Sequence, residues 1–509
     1  MIARLIIFGK SIIRLSNKYH SNIIIKELTF GGIDLVKVQF IEPPKDYWFV
    51  MGEYLPPPYG ILELAAYLEE EMKDVEIEVL DCQAMSLDWP GLEKRIKMFD
   101  PDIVAASGLA TCNVYITART LELAKKLKPN VVTATGGQHF TALAQESLEA
   151  YPEIDVIVRG EGEETLLELV KAVKEKSNFS TIKGISFRHE KQILHNPQRP
   201  LIENLDQLPF PGYRFVEDFA HSYHFSMMAG SKAKYGIVEA SRGCPNHCSF
   251  CSQWKHWQGA WRHKSVKRVA DEMEYLYNNY GSRLQWLTDD NFGLNKRTED
   301  LCDELTKRDF SKDITCFMQV RCDDAANNPR IVEKLSKAGF TYFLLGVESQ
   351  SKSTLDSFHK GTKPEHASLA VKNLKQNGIF SQATCIVGNR QDTAESIKGL
   401  RTFIHEIDPD IAIFMVLTPF PGTDLYEEAK SKGWIEDYNW ANYDMVHATM
   451  PTETLTREQV QHELTECYKS FFGSPSRLLK GTFAKNKIKR RVYRYMAHQG
   501  VIRQLENIV

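Results

Sequence analysis

Hydrophobic and polar positions in residues 34–175 follow two alternating periods. Short apolar runs ending at Gly, Pro or Asp are typical of buried strands, and apolar residues three or four positions apart predict helices. We expect strands at 34–42, 76–81, 102–107, 130–135 and 155–158, and helices at 61–72, 92–99, 114–127 and from after residue 164 to about 173. Strands that alternate with helices predict a doubly wound, parallel α/β sheet, which binds ligands at the carboxyl ends of its strands.

A second series of strand and helix patterns begins at residue 235. The expected strands are 235–240, 284–288, 314–320, 341–347, 380–387 and 411–417, with helices at 265–278, 298–307, 330–337, 365–376 and 394–407. Six such units predict a partial (β/α)6 barrel, in which active groups gather at the C-terminal strand ends.

These patterns divide the chain into five predicted segments. They are an N-terminal extension (1–30), the doubly wound domain (31–175), a connecting segment (176–232), the partial barrel (233–423) and a helical C-terminal region (424–509). Within the connecting segment we expect a hairpin at 181–188 and 192–196, then an extended crossover at 205–213. A basic amphipathic surface helix is the alternative for the extension.

Composition narrows the class of protein. A length of 509 residues with 43% hydrophobic and 25% charged residues indicates a globular chain of two to four domains. The net charge of -3 gives no case for a nucleic-acid partner. No apolar run reaches the ~18 residues of a transmembrane segment. Ten cysteines without a disulfide pattern predict a reducing, cytoplasmic location.

Three cysteines lie on one short stretch directly after the first barrel strand. Cys244, Cys248 and Cys251 form a Cys-x3-Cys-x2-Cys array. Three thiolates can ligate three irons of a 4Fe–4S cluster and leave the fourth iron without a local protein ligand. An open metal position is typical of a catalytic site. A zinc site completed by His247 or His256, or three scattered buried thiols, are the alternatives.

The array resembles the signature of the radical S-adenosylmethionine enzymes. The resemblance implies that S-adenosylmethionine chelates the open iron and that an electron, from a donor such as flavodoxin or ferredoxin, cleaves it to a 5′-deoxyadenosyl radical. It also implies that Asp289 or Asp290 binds the amino group, that Arg321 meets the carboxylate, and that Glu348 bonds the ribose or methionine portion. A helix cap and a surface salt bridge are the alternatives for the aspartates and Arg321. Residues 388–393, Gly-Asn-Arg-Gln-Asp-Thr, depart from the usual Gly-x-Pro-x-Glu-Thr of the adenine-packing turn.

The doubly wound domain resembles the cobalamin-binding domain attached to many of these enzymes. The motifs are Pro-Pro-x-Gly at 57–60, Thr-Gly-Gly-x-His at 135–139 and Arg-Gly-Glu-Gly-Glu at 159–163. The Asp-x-His-x-x-Gly motif that supplies an axial histidine is missing, as is common in this radical subset. A nucleotide-binding or purely structural domain is the alternative.

The resemblance places cofactor contacts at the strand ends of this domain. The predicted contacts are Gly108, Gly136, Gly137, His139, Gly160 and Glu161. The glycines permit a close backbone approach to a large flat ligand. His139 either contacts the amide rim of the cofactor or caps a helix with its needs met by backbone.

Together these features imply a cobalamin-dependent radical S-adenosylmethionine enzyme that methylates an unactivated carbon, with the substrate's chemical class left open. The layout also resembles the anaerobic oxidative cyclase of tetrapyrrole synthesis, so oxidative cyclisation or ring contraction is the alternative reaction. A cobalamin carrier or sensor with an inactive barrel is the alternative of another class. The basic stretch 480–494 predicts a solvated helix face, with an acidic partner or a membrane surface as the alternative.

Overall fold

The computed structural model describes residues 6–8, 11–13, 35–44, 54–108, 110–225 and 234–499. Within the predicted extension, strands β1 (Ile6–Phe8) and β2 (Ser11–Ile13) pair antiparallel. The amphipathic-helix alternative is therefore wrong for these two stretches, and the rest of residues 1–30 lies outside the described ranges.

The first domain is built on one seven-stranded sheet. Its strands are β3 (Val36–Glu42), β5 (Val75–Asp81), β6 (Ile103–Ala106), β7 (Val132–Gly136), β8 (Val156–Val158), β9 (Ile185–His189) and β10 (Gln192–His195). The spatial order is β10-β9-β8-β7-β6-β3-β5. The strands from β8 to β5 are parallel, which confirms the doubly wound prediction. The predicted hairpin, β9 and β10, extends the sheet antiparallel.

Helices cover both faces of this sheet. They are α1 (Tyr59–Glu71), α2 (Trp89–Phe99), α3 (Val114–Leu127), α4 (Gln138–Ala142), α5 (Ala144–Ala150) and α6 (Glu163–Glu175). The start of α2 shows that local sequence signals fix a helix boundary. The Asp88 carboxylate accepts a hydrogen bond from the Gly91 N–H at 2.8 Å, and a proline stands in the first turn.

The barrel is an open sheet of six parallel strands, as predicted. In spatial and sequence order they are β12 (Tyr235–Val238), β15 (Leu284–Leu287), β16 (Thr315–Arg321), β17 (Phe340–Glu348), β18 (Phe380–Val387) and β19 (Ile411–Val416). Every residue of β18 is buried, because helices cover one face of the sheet and the barrel interior fills the other.

The barrel helices include three that the sequence pattern did not reveal: α7 (Gln253–His256), α10 (Cys322–Asn327) and α12 (Lys352–Ser357), each of six residues or fewer. The others are α8 (Val266–Tyr280), α9 (Lys296–Leu305), α11 (Pro329–Lys337), α13 (Pro364–Gln376) and α14 (Ala394–Ile407). Two short strands, β13 (Ser241–Gly243) and β14 (Trp261–His263), pair antiparallel beside the first barrel strand and were also not predicted.

Two predictions outside the sheets need correction. The expected extended crossover at 205–213 instead contains a 3-10 turn, Leu205–Gln207, because the Asn204 side chain accepts from the Asp206 N–H. A second 3-10 helix begins at Tyr213 and runs to Ser222. The C-terminal region holds α15 (Asp424–Ser431), α16 (Arg457–Phe472), α17 (Pro475–Thr482) and α18 (Lys487–Gln499), but residues 433–456 contain only the 3-10 turn Trp440–Asn442 and are otherwise irregular.

The two domains share one hydrophobic core. A single cluster of buried residues joins Phe40 and Leu62 of the first domain to Tyr235 and Phe317 of the barrel. Strand β4 (Tyr54–Leu55) also pairs with β11 (His224–Phe225), a bridge between the first domain and the connecting segment. No helix in the described ranges is long and apolar enough to cross a bilayer.

Candidate active site

The loop that carries the three cysteines, residues 244–260, is closed at its base by the β13–β14 ladder. Gly243 ends β13 with φ of +91°, and a Cβ at this position would lie 2.0 Å from the carbonyl oxygen of Ala260. Only glycine fits this close approach of two backbones. The chain therefore turns out of the ladder immediately before Cys244.

The three thiols lie close enough to interact electrostatically with one another. The Cys251 N–H also donates to the Cys248 carbonyl oxygen at 3.1 Å. Burial raises the pKa of the Cys248 thiol and raises that of Cys251 to about 12. Thiolates at such a site need the positive charge of a metal centre, so the donor set fits an iron–sulfur cluster.

The two histidines of the zinc alternative both pack against tryptophan rings. The ring of His247 lies against Trp254, with 4.6 Å between centroids, and that of His256 lies edge-on to Trp257.

The two predicted amino-group ligands, after β15, have different surroundings. The Asp289 carboxylate accepts from the Ala240 N–H at 3.1 Å and from the Ser241 hydroxyl, so it fixes the start of the cysteine loop. Burial raises the pKa of Asp289 to about 6. Burial likewise raises the pKa of Asp290 to about 7, and this carboxyl group interacts electrostatically with Cys251. Of the pair, Asp290 is the one that faces the thiols.

Arg321 and Glu348, at the ends of β16 and β17, meet around a lysine that sequence reasoning missed. Lys360 Nζ donates to Glu348 Oε1 at 2.7 Å, and its carbonyl oxygen accepts from Arg321 Nη2 at 2.7 Å. Arg321 also forms a bidentate pair with Asp323 at 3.0 and 3.1 Å. Glu348 has φ of +61°, a strained conformation of the kind that persists at functional sites. Burial raises the pKa of the Cys248 thiol, and the positive charges of Lys360 and Arg321 oppose that rise. This polar cluster therefore borders the cysteine loop.

The departure from the adenine-packing motif does not open the turn after β18. The Asp392 carboxylate accepts from the N–H groups of Gly388 and Asn389 at 2.9 and 3.0 Å. Aspartate in place of glutamate is therefore long enough to close the turn. Arg390, which stands where proline is usual, instead stacks on Trp434 and donates to the Pro451 carbonyl oxygen at 2.7 Å.

In the first domain, the four predicted glycines lie at the carboxyl edge of the sheet but play different parts. A Cβ at Gly108 would lie 2.5 Å from the Phe140 ring, and one at Gly136 would lie 2.9 Å from the Val158 carbonyl oxygen, so these two serve internal packing. Gly160 has φ of +74° and open space around its missing Cβ, while Gly137 has φ of +96°. The open cradle at Gly160 fits a large ligand at this edge.

His139 is buried beside this edge. Among the described residues, none offers a hydrogen-bond partner to its Nδ1 atom. Its ring meets that of Trp440 from the C-terminal region, with 4.9 Å between centroids. Burial lowers its pKa to about 4, so the imidazole is neutral. An unpaired buried nitrogen fits a bound ligand with a polar rim better than the alternative of a histidine satisfied by backbone.

Glu161 lies in a buried ion network between the two domains. Its carboxylate accepts from Arg242 at 2.8 Å, from Arg262 at 3.0 Å and from the Ile202 N–H at 2.8 Å. The Arg242 side chain is 3% exposed and also pairs with Glu63, Glu163 and Glu239, at 2.7 to 2.8 Å. Since Arg242 is two residues before Cys244, the Arg-Gly-Glu-Gly-Glu motif of the first domain anchors one end of the cysteine loop.

Gln138 holds the same loop at a second point, directly after Cys251. Its Nε2 donates to Gln253 Oε1 at 2.7 Å, and its Oε1 accepts from the Ser252 hydroxyl at 2.8 Å. Ser252 follows Cys251 directly, and Gln138 belongs to the Gly-Gly-Gln-His turn after β7. The predicted cobalamin turn and the cysteine loop are therefore in direct contact.

Sequence reasoning missed Arg242, Gln138 and Lys360. Gln138 stands inside the Thr-Gly-Gly-x-His motif, and Arg242 lies two residues before the cysteine array. The glutamates at 161 and 163, close to a strand end, were a signal for a buried cation beside them. Lys360 had no signal, because it lies on an ordinary polar stretch after a short helix. The structure brings the three cysteines, Asp290, Glu348 and Arg321 to one edge of the barrel. The roles of all predicted residues stay predictions.

Comparison with known proteins gives the same two domains. The family described as "B12 binding domain" matches residues 51–170, and the "Radical SAM superfamily" matches residues 238–404. An uncharacterized methyltransferase of Pyrococcus horikoshii is 31% identical over 88% of this chain and 95% of its own. The anaerobic magnesium-protoporphyrin IX monomethyl ester cyclase of Rubrivivax gelatinosus is 30% identical over 86% of this chain and 77% of its own.

Among solved structures, the radical S-adenosylmethionine methyltransferase TsrM of Kitasatospora setae, with cobalamin and a [4Fe-4S] cluster bound, superposes with a TM-score of 0.70. The match covers 93% of this chain and 100% of that one at 16% identity, which supports the fold. The chain belongs to the radical S-adenosylmethionine enzymes that carry an N-terminal cobalamin-binding domain.

Proposed function

We propose that the protein is a C-methyltransferase that uses S-adenosylmethionine, a 4Fe–4S cluster and cobalamin to methylate an unactivated carbon. The observation that carries this proposal is the contact of Gln138 with Ser252 and Gln253. It joins the turn expected to border the corrin to the loop expected to hold the cluster. A methyl donor and a radical source can act on one substrate only if they open onto the same gap.

Three thiolates, of Cys244, Cys248 and Cys251, would hold the cluster. When bound, the cluster with S-adenosylmethionine supplies one-electron chemistry, and cobalamin supplies a transferable methyl group. Asp290 would accept a hydrogen bond from the ammonium of S-adenosylmethionine, because its carboxylate interacts with Cys251, whereas Asp289 fixes Ala240 and Ser241.

The cluster of Lys360, Glu348 and Arg321 would bind the polar parts of S-adenosylmethionine. Lys360 and Arg321 present positive charge beside Cys248, which suits a carboxylate. Glu348 is held by Lys360 and by its own constrained backbone, which suits an acceptor for ribose hydroxyls. Each group is therefore oriented before the ligand arrives.

On the other side of the gap, Gly160 and Gly137 would allow the corrin to approach the backbone, and neutral His139 would bond its amide rim through Nδ1. Trp440 covers His139 and contributes to apolar clusters of both the first domain and the C-terminal region. The aromatic segment after α15 would thus keep water from the gap.

Oxidative cyclisation is the second candidate. It is favoured by the similarity to the cyclase of Rubrivivax gelatinosus, which spans most of both chains. A single-electron donor of the flavodoxin or ferredoxin class and a cytoplasmic location are part of either proposal. No disulfide bond joins any two cysteines of the described residues, which agrees with a reducing compartment.

Isotope transfer separates these reactions. Cells that express the full chain or its Cys248→Ala variant would be grown without oxygen on methionine with a deuterated methyl group, and their small molecules compared by mass spectrometry. The proposal expects a compound that gains one fully labelled methyl with the native chain alone. A compound that changes mass without the label would favour cyclisation, and identical profiles would favour a carrier or sensor.

A further inference from the structure

The last two described helices, α17 and α18, form a hairpin attached to the barrel at the edge opposite to the candidate site. The Tyr493 hydroxyl donates to the Asp410 carbonyl oxygen at 2.8 Å, and Asn486 Nδ2 donates to the Gly378 carbonyl oxygen at 2.7 Å. Asp410 immediately precedes β19, and Gly378 lies two residues before β18. The hairpin therefore lies at the amino ends of strands whose carboxyl ends carry the site.

The hairpin has a charge unlike that of the rest of the chain. Residues 473–499 contain eight Lys and Arg and no Asp or Glu, whereas the whole chain has a net charge of -3. Among the described residues, Arg477 pairs with Asp408 and Lys489 pairs with Asp410. In the described part of the chain, no carboxylate pairs with Lys480, Lys485 or Lys487.

The exposed cations of α18 lie on one face. Its exposed basic side chains are Lys487, Arg491, Arg494 and His498, at positions i, i+4, i+7 and i+11. This spacing forms a single stripe along a helix. Val492, Tyr493 and Met496, on the opposite side, are buried. The stripe therefore faces away from the protein.

Two large apolar side chains stand out from the same hairpin. Leu479 is 63% exposed and Phe483 is 70% exposed. Gly481, midway between them, packs so closely on the Tyr493 ring that a Cβ would lie 2.2 Å from it. Residues two positions to either side of a helical residue point about 160° away from it, by the 3.6-residue period. Leu479 and Phe483 thus share the face that turns away from α18.

We propose that this hairpin binds the surface of an anionic phospholipid bilayer. Leu479 and Phe483 would enter the boundary between headgroups and acyl chains, and the cations beside them would meet lipid phosphates. Helices that bind at a membrane interface combine exposed aromatic and aliphatic side chains with neighbouring cations in the same way. An acidic protein or a nucleic acid would satisfy the cations but would leave the two apolar side chains in water. The proposal does not depend on the reaction that the enzyme catalyses.

The test is sedimentation of the cofactor-loaded full chain with vesicles of phosphatidylcholine, with and without phosphatidylglycerol. We expect binding to the anionic vesicles alone, and release at high salt. Phe483→Ser should weaken binding about ten-fold, from the loss of one buried aromatic side chain. Lys480→Glu with Lys487→Glu should weaken it by at least about twenty-five-fold, since each cation near an anionic surface contributes about five-fold.

Matched controls exist elsewhere on the surface. Met98 is also 70% exposed, so Met98→Ser should bind as the native chain does. The double variant Lys296→Glu with Lys307→Glu changes the net charge by the same amount as the hairpin double variant. Its two side chains are 76% and 72% exposed. Absence of binding to anionic vesicles, or equal weakening by these controls, would overturn the proposal. The proposal would also be overturned if the chain bound heparin as tightly as it binds anionic vesicles and Phe483→Ser left heparin binding unchanged. That result would indicate a polyanion as the partner.

Discussion

Arg242 shows how one side chain links the two halves of the chain. Its guanidinium pairs with Glu63, Glu161, Glu163 and Glu239, and the first three of these glutamates are buried with it. Removing one partner of a buried ion pair leaves an uncompensated charge in the protein interior. The free-energy cost of that charge is larger than the stabilisation that the intact pair provides.

We therefore predict that Arg242→Met lowers the free energy of unfolding by about 3–5 kcal/mol, measured by urea denaturation of the full chain. Arg283→Met is the control, because Arg283 pairs with Asp313 at the surface with both side chains well exposed, and should cost under about 1 kcal/mol. A loss at Arg242 no larger than the control's would contradict the assignment of the network as a clamp.

Glu63 gives the same network a pH dependence. Burial, then the negative charge of Glu239, raises its pKa to about 7 from an ordinary value of 4.5, against the opposing effects of Arg242 and Lys264. The folded chain thus holds this proton more tightly than the unfolded chain. The resulting stability is fully present below pH 4.5 and is lost as pH rises through 7.

Glu63→Gln imitates the protonated side chain at every pH. We expect the fall in unfolding free energy between pH 5 and pH 8 to be smaller in this variant than in the native chain, by about 2–3 kcal/mol. Denaturation curves at several pH values would show it, with Glu122→Gln, in an exposed pair with Lys126, as the control that follows the native curve. Parallel curves for Glu63→Gln and the native chain would refute the raised pKa.

Among the elements, the β13–β14 ladder sets the shape of the cysteine loop. Gly243→Ala would place a Cβ 2.0 Å from the Ala260 carbonyl oxygen, so the ladder must open and the three thiols must separate. We predict that this variant, after anaerobic reconstitution, retains little iron and sulfide per chain.

Gly259→Ala is the matched control in the same loop. Gly259 also has a positive φ, +73°, but nothing lies within 4 Å of a Cβ there. It should keep its iron at a cost of about 1 kcal/mol in stability. Equal iron contents in the two variants would show that the ladder does not shape the loop.

The elements also show how far the sequence could be read. The strands and long helices were predicted within a few residues because hydrophobic period and strand-end glycines are local signals; α3 and α14 agree at both ends. The β13–β14 ladder has three residues a side, too few for a period. The irregular course of 433–456 depends on packing against the first domain, as the Trp440 contact with His139 shows.

The candidate site could also be predicted where its signals are local in sequence. The cysteine spacing and strand-end motifs identified which turns come together, because parallel strands end at one edge. Which aspartate fixes the start of the cysteine loop, and which glutamates pair with Arg242, depended on contacts between residues far apart in sequence. The pairing of Arg242 with Glu63, for example, spans 179 positions.

As a whole, the molecule is expected to fold as one unit, because one cluster of buried residues spans both domains. A fragment of residues 1–232 would expose that core and leave Glu63, Glu161 and Glu163 without Arg242. We predict that the fragment lacks a cooperative thermal transition by circular dichroism, whereas the full chain shows one. A fragment that melts cooperatively near the temperature of the full chain would show that the domains are independent.

The central claim is that the cysteine loop and the cobalamin-binding edge open onto one gap. Electron paramagnetic resonance of the reconstituted full chain, with cobalt and cluster both paramagnetic, tests it directly. We predict that reducing the cluster broadens the cobalt signal through magnetic coupling, and that Cys248→Ala removes the broadening while cobalamin stays bound. A spectrum equal to the sum of two independent centres would contradict the account.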